Sequence, residues 1–365
     1  MPDETPPALK EMFNAARYRQ IAGLLAEAQP GFDRKRFLAV ALHSLDGLTL
    51  LQRVRRATAA AHATLPGEFP KALAVLKRIA PRMPDGFVGI FLPDFVGQHG
   101  HGHFDDSMVA LKYFTPFSSA EFAVREFLRR DLTRTLAVME HWARDENEHV
   151  RRLASEGCRP RLPWSFRLDA LMADPSPVAP ILDHLRADPS LYVRKSVANH
   201  LNDISKDHPD WMLARLQLWS LAHPHTLWIA KRAARTLIKA GHQPALRLFH
   251  FGGRPAVKLS GFKLAPPRPR LGQRIEFSFG LTSTSRQAQR LAIDYRIHYV
   301  KANGRMAPKV FKLREITLAA GASVAVAKAQ RLQDFTTRRH YAGRHRLEVQ
   351  INGRVLAGAE FELRV

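Results

Sequence analysis

Three basic pairs, Arg151-Arg152, Arg194-Lys195 and Lys231-Arg232, recur at spacings of 43 and 37 residues, and this recurrence constrains the fold more than any other feature. Each follows a polar or Pro-containing turn (Asp145-Glu-Asn-Glu148, Asp188-Pro189-Ser190, His223-Pro224-His225) and precedes small apolar residues. The pairs are expected to open the second helix of successive helix pairs. Periods of this length suit HEAT-type repeats, which stack into a solenoid and line up equivalent positions on one concave face. Arg152, Arg194 and Lys195 in register would give that face a positive ladder for phosphates. A solvated helix face explains any one of them equally well, so only the recurrence favours function.

Apolar residues at three- and four-residue spacings predict helices from Ala8 to Ile79 and again from Ser118 to about His250. Breaks are expected at Pro160–Pro163, Asp174-Pro175, Asp188-Pro189, His208-Pro209 and His223-Pro224. Between them, Pro81 to Pro116 is aromatic and Gly-rich and reads as a short helix with a packed loop. After Phe251-Gly-Gly-Arg-Pro255 the period changes to two. Arg274-Ile-Glu-Phe-Ser-Phe279, Leu291 to Val300 and Arg346-Leu-Glu-Val-Gln-Ile351 alternate as half-buried strands do. About seven such strands, with Asn303-Gly304 and Asn352-Gly353 as hairpin turns and Tyr341 as a candidate tyrosine corner, predict an immunoglobulin-like β-sandwich without the cysteine pair. The expected fold class is mainly α plus all-β: a HEAT-like solenoid over 1–250, a linker over 251–258 and the sandwich over 259–365.

Length alone implies two or more domains. The net charge of +23 is uneven, with +14 in the last 111 residues and +9 in the first 254. Such a field draws polyanions without separating DNA, RNA and acidic lipid. The single cysteine, Cys158, excludes an internal disulfide, and Met1–Pro7 lacks the basic and apolar regions of a secretory signal. No apolar run approaches the roughly 18–20 residues of a spanning helix. A cytoplasmic monomer without a membrane role is expected.

Two segments carry a family resemblance. Arg151-Arg-Leu-Ala-Ser-Glu156-Gly-Cys-Arg-Pro-Arg-Leu-Pro-Trp164 and Val197-Ala-Asn-His-Leu-Asn-Asp203-Ile-Ser-Lys-Asp-His-Pro209 resemble signatures of AlkC, a DNA glycosylase family of the HEAT-like AlkC/AlkD superfamily. The resemblance runs from about Ala8 to Gly241, and the terminal β domain resembles the immunoglobulin-like module of one branch. It implies hydrolysis of the N-glycosidic bond of cationic alkylated bases in duplex DNA, N3-methylcytosine and N1-methyladenine in particular and N3-methyladenine as a further candidate. It also implies catalysis without full base flipping. No lysine stands out as a Schiff-base nucleophile, so an abasic product without strand cleavage is expected.

A ring-alkylated base is already a cation and leaves without a strong general acid, so the enzyme need mainly stabilise the sugar cation. Carboxylates do this electrostatically while one of them orients the attacking water. Glu121, Glu156 and Asp203 are the catalytic candidates, each at the end or start of a different helix. By motif, Glu156 would face the lesion sugar, Asp203 would support the second half of the site and Glu121 would supply the other catalytic carboxylate. Competing readings stand beside them: Ser118-Ser-Ala-Glu121 is a capping-box pattern, Glu156 is compatible with a solvated surface position, and Asp203 can pair with Lys206. Arg159 and Arg161, in a Pro-held extended segment, would grip the DNA backbone. Trp164 would lie against the ribose or base edge, or else plug an inter-repeat loop. No cofactor is expected. His99-Gly-His-Gly-His103 reads as a floppy loop rather than a zinc site, since no further ligand pair completes a tetrahedron. The alternatives to an enzyme are a non-enzymatic scaffold and an RNA-binding protein.

Overall fold

The computed structural model describes residues 8–252, 254–335 and 338–365. Met1–Pro7, on which the expectation of no secretory signal rests, and Gly253 of the period change lie outside them. Two compact units divide the chain. One holds residues up to His208 together with Trp219–Ala230, and the other holds Pro209–Leu218 and Lys231–Val365.

The first unit is helical: α1 (Ala15–Ala28), α2 (Arg34–Leu42), α3 (Leu50–Thr64), α4 (Phe69–Ile79), α5 (Phe91–His99), α6 (Phe104–Phe114), α7 (Val124–Arg130), α8 (Leu132–Trp142), α9 (Glu148–Gly157), α10 (Asp169–Ala173), α11 (Ala179–His184) and α12 (Leu191–Ile204). Side-chain oxygens satisfy the free amides at several starts: Asn14 for α1, Asp33 for α2, Asp131 for α8, Asn147 for α9 and Ser190 for α12. The prolines act as expected, since α13 (Pro209–Leu218) and α14 (Pro224–Ala233) each begin on one.

Pro81–Pro116 is more helical than its composition suggests. α5 and α6 fill most of it, because Phe91, Leu92, Phe95 and Val96 form a buried face that packs on α3 and α6. Nor is the histidine segment floppy. His99 stacks on His62 at 3.8 Å between ring centroids, and His103 stacks on Phe69. Among the described residues no cluster of His, Cys, Asp and Glu is arranged to hold a metal.

The repeat is real over one step and fails at the next. Arg151 and Arg194 each occupy the fourth position of a helix, α9 and α12. Each donates from NH1 to the carbonyls six and five residues earlier, Asp145 and Glu146 in one case and Asp188 and Pro189 in the other. The recurring arginine therefore braces the turn before its helix. Lys231-Arg232 instead lies in the last turn of α14, so it closes a helix rather than opening one.

α9 packs on α8 and α12, and Val150, Leu153 and Ala154 of α9 and Val193, Val197 and Leu201 of α12 are buried. Gly157 ends α9 where any side chain would strike α7: a Cβ there would lie 2.5 Å from Val124 Cγ1. This close approach sets the last turn of α9 beside α7.

Among the described residues of the second unit, α13, α15 (Arg235–Ala240) and α16 (Gln243–Leu248) accompany seven antiparallel strands. β1 (Val257–Ala265), β2 (Arg274–Ser283) and β5 (Ser323–Arg331) form one sheet in the order β1-β2-β5. β3 (Gln289–Val300), β4 (Met306–Leu318), β6 (Gly343–Ile351) and β7 (Arg354–Leu363) form the other, in the order β4-β3-β6-β7. Alternate residues build the core, among them Phe277, Phe279, Tyr295, Ile297, Leu347, Val349 and Phe361. Asn352 and Gly353, both with positive φ, make the two-residue turn between β6 and β7. Three details depart from expectation. β3 does not alternate strictly: its register against β4 shifts between Ile293 and Asp294, and Asp294 is buried. β6 likewise shifts against β7 between Val349 and Gln350, and Gln350 is buried. Tyr341 is no tyrosine corner: among the described residues its hydroxyl makes no hydrogen bond, and the turn is held by the His345 ring against the Tyr341 carbonyl.

Candidate active site

Glu121 sits in the turn that leads into α7, Glu156 in the last turn of α9, and Asp203 one residue before the end of α12. Packing of α9 on α8 and α12, with its Gly157 end against Val124 of α7, converges the three ends, and two arginines link them. Arg152 NH1 lies 2.6 Å from Glu121 Oε2 and its NH2 lies 3.7 Å from Glu156 Oε1. Arg159 NH1 donates to Glu156 Oε1 at 2.6 Å, while its Nε and NH2 reach Asp203 Oδ2 at 2.9 and 2.7 Å. Lys206 closes the chain at 3.0 Å from Asp203 Oδ1. The result is a line of alternating charge, Glu121, Arg152, Glu156, Arg159, Asp203, Lys206.

The line is sunk in the helical unit. Side-chain exposure is 8% at Glu156, 9% at Arg159 and 5% at Asp203, against 15–16% at Glu121 and Arg152. Burial on its own would lower the pKa of both arginines. The carboxylates around them outweigh it, Glu121 and Glu156 at Arg152 and Glu156 and Asp203 at Arg159, so both hold their proton more firmly than usual. Paired guanidiniums fix the planes of the carboxylates they grip. Ser119 adds to this at Glu121, donating from Oγ to Oε2 at 2.8 Å while receiving Arg152 NH1 at 3.1 Å. The Tyr192 ring lies 4.7 Å from the Arg152 guanidinium. Oε1 of Glu121 and Oε2 of Glu156 make no hydrogen bond to the described residues, which leaves one oxygen on each free for substrate or water.

This geometry decides between the local alternatives. Ser118 and Ser119 do not cap α7, whose N-cap is Ala123 without a side-chain bond. Glu156 is buried, so it is not a solvated surface residue. The Asp203–Lys206 pair exists, but alongside Arg159 rather than in place of it. Of the residues expected to grip DNA, Arg159 is turned inward onto carboxylates, whereas Arg161 faces outward and pairs bidentately with Asp207 at 2.7–3.1 Å. Trp164 is 58% exposed and holds a φ of +66°, a conformation that costs a non-glycine residue roughly 1 kcal/mol or more. It is not a buried plug. Lys195 is exposed and has no ion pair among the described residues, while Arg194 is spent on its turn and lies over Trp228.

A model of DNA alkylation repair enzymes matches residues 113–238, the stretch that holds all three carboxylates. A model of the C-terminal Ig-like domain of the uncharacterised protein YhaZ matches residues 258–365. Bacillus subtilis YhaZ, itself uncharacterised, is 43% identical over 97% of this chain and 99% of its own. A solved structure, Pseudomonas fluorescens alkylpurine DNA glycosylase AlkC bound to DNA containing an abasic site analog, is 52% identical. It covers 98% of this chain and 100% of its own with a TM-score of 0.95. The chain belongs to the AlkC-like DNA alkylation repair family.

This AlkC-like chain also uses residues that sequence reasoning passed over. Arg125, fully buried, donates from NH1 to the carbonyls of Gly157 and Arg159 at 2.9 and 2.7 Å and from NH2 to that of Phe166. It ties both ends of the segment that carries Arg159, Arg161 and Trp164. Burial pulls its pKa down to about 10, still well above neutrality. His200 lies wholly inside the α9–α12 interface with Nδ1 3.0 Å from the Ser155 carbonyl, and burial, aided by the nearby Arg159 charge, lowers its pKa to about 3. It is a neutral strut beneath the Glu156–Arg159–Asp203 line. A signal existed for Arg125: an arginine set among Ala123, Val124, Phe127 and Leu128 interrupts an apolar run and so must find partners inside.

Proposed function

We propose that this chain is a monofunctional DNA glycosylase that hydrolyses the N-glycosidic bond of cationic alkylated bases. N3-methylcytosine and N1-methyladenine are its substrates, and N3-methyladenine is the further candidate. The observation that carries the reading is the convergence of Glu121, Glu156 and Asp203 from three helix ends, fixed by the buried Arg159 and the half-buried Arg152. AlkC, a DNA glycosylase by name, supports it through 52% identity over nearly the whole chain.

In the reaction the bond between C1′ and the base nitrogen breaks, and its electron pair leaves with the base, neutralising the cation. The sugar keeps the positive charge. Glu121 and Glu156, whose free oxygens point to no protein partner, stabilise that charge and orient a water. Water oxygen then bonds to C1′, and its proton passes to a carboxylate and on to solvent. Asp203 acts through Arg159, since both of its oxygens are engaged by Arg159 and Lys206. Preformed charges of this kind cost little reorganisation as the cation develops. The lesion's own charge and lost pairing select it, so full rotation of the nucleotide into an enclosing pocket is not required. The protein acts as a monomer on duplex DNA in the cytoplasm. Lys195 and Trp164 are free to meet the DNA, and Arg161 meets it by exchanging Asp207 for a phosphate.

Incubation with duplexes carrying a single N3-methylcytosine, N1-methyladenine or N3-methyladenine, followed by chromatography of free base, tests this. Release of free base with an intact strand is expected. Tight binding of all three without release would replace the enzyme by a binding scaffold.

A further inference from the structure

Ser119 and Phe122, which flank Glu121, both also line a cleft of about 130 Å³ within the helical unit. That is well below the roughly 300–1,000 Å³ of sites for drug-sized ligands, and it suits a single heterocycle rather than a nucleoside. Phe122 and Phe166 supply aromatic walls, Trp164 stands at the rim, and Val54 and Pro93 add apolar surface. Arg125 and Arg129 lie 5.3 and 4.8 Å from the Phe166 ring and hold its position.

The polar groups are few and convergent. Arg55 Nε is 3.3 Å from Asp94 Oδ1, and Arg55 NH2 is 3.9 Å from Glu126 Oε1. Thr58 Oγ1 donates to Asp94 Oδ2 at 2.6 Å, which aims the carboxyl. The Asp94 and Glu126 side chains are only 9% and 13% exposed, whereas Arg55 is 47% exposed. Nothing in the hydrolytic chemistry uses these three. Arg129 NH2 holds Glu126 Oε2 at 2.5 Å and Thr58 holds Asp94 Oδ2, so the acceptors least engaged are Asp94 Oδ1 and Glu126 Oε1, each paired only with the half-exposed Arg55 at 3.3 and 3.9 Å. A cleft with aromatic walls, these two acceptors and one donor fits a planar heterocycle bearing an exocyclic nitrogen donor and a ring or carbonyl acceptor. The base freed next to Glu121 belongs to that class.

We infer that this cleft binds the released alkylated base, stacked against Phe122 and Phe166 with its exocyclic nitrogen on Asp94 and Glu126. The inference rests on the glycosylase reading for its choice of ligand. Holding the base away from C1′ opposes its return to the sugar cation and makes the free base a product inhibitor.

Saturation-transfer NMR of free N3-methyladenine and N3-methylcytosine with the whole chain, without DNA, reads this binding directly. Saturable transfer is expected from wild type. Loss of one stacking wall in Phe122→Ala should weaken it on the order of tenfold, and Asp94→Asn should weaken it as well. Phe122 is only half-buried, so Phe122→Ala decides the matter if Asp94→Asn does not fold. Absence of saturable transfer, or transfer equal in wild type and a folded Phe122→Ala, overturns the assignment. A protein that excises bases yet does not bind them refutes the cleft alone; a protein that binds free base yet excises none refutes the glycosylase and leaves a nucleobase site.

Discussion

Replacing Arg159 by methionine separates two roles for a residue in a segment that reads as a DNA grip. In the structure its guanidinium faces Glu156 and Asp203, and the side chain is 9% exposed. Methionine would fill much of the volume and leave two nearly buried carboxylates short of a cation. Removing one partner of a buried ion pair costs about 3–5 kcal/mol. Arg152 at 3.7 Å from Glu156 and Lys206 at 3.0 Å from Asp203 compensate in part, so the expected loss is near the lower end, about 3 kcal/mol. Urea unfolding followed by circular dichroism measures it. The double variant Arg159→Met with Asp203→Asn should recover about 1–2 kcal/mol, because it removes one stranded charge. Salt dependence of DNA binding supplies the opposing test. If Arg159 is buried on its carboxylates, the slope of affinity against salt stays unchanged in the variant, whereas a guanidinium that neutralises a phosphate would take about 1 from that slope on removal. Stability within about 0.5 kcal/mol of wild type together with a reduced slope would refute the positioning role.

Two further outcomes are set by the same geometry. The folded pKa of His200, about 3, lies below its ordinary 6.5, so its contribution to stability is complete above pH 6.5 and is lost as pH falls from there towards 3. At pH 5 the loss is about 2 kcal/mol, and wild type should lose that much more than His200→Leu between pH 7 and pH 5 in thermal melts; identical pH profiles would show the ring is not buried neutral. Trp164→Gly removes an exposed ring from a left-handed backbone position, so stability should hold or rise by up to about 1 kcal/mol while affinity for lesion DNA falls. Reduced stability with unaltered affinity would mark Trp164 as structural.

How far the sequence discloses this molecule depends on the range of the interactions concerned. Period-two alternation predicts β2, β3 and β6, and it falters beside the register shifts that accompany burial of Asp294 in β3 and Gln350 in β6, since a shift depends on the partner strand. Prolines mark the starts of α13 and α14 because their restriction is local. Glu121, Glu156 and Asp203 are legible as chemistry on helix ends, yet their linkage is not: Arg159 and Asp203 stand 44 residues apart, and no local rule says that the guanidinium turns inward. The same limit hides the cleft, whose walls come from α3, α5, α7 and the segment after α9. The periodic arginines mislead for a related reason. Their spacing reports a repeated turn that needs bracing, and a repeat alone does not say whether a cation faces carbonyls or phosphate.

The carboxylate chain is tested most directly by single-turnover base release from a duplex carrying N3-methylcytosine, comparing wild type with Glu156→Gln at matched DNA occupancy. Gln keeps the shape of the side chain and an acceptor for Arg159 while removing the charge. Loss of an electrostatic stabiliser of this kind slows such a step on the order of 10²- to 10³-fold, and that is the expected result. Equal rates for the two proteins would contradict the assignment of Glu156 to the sugar cation.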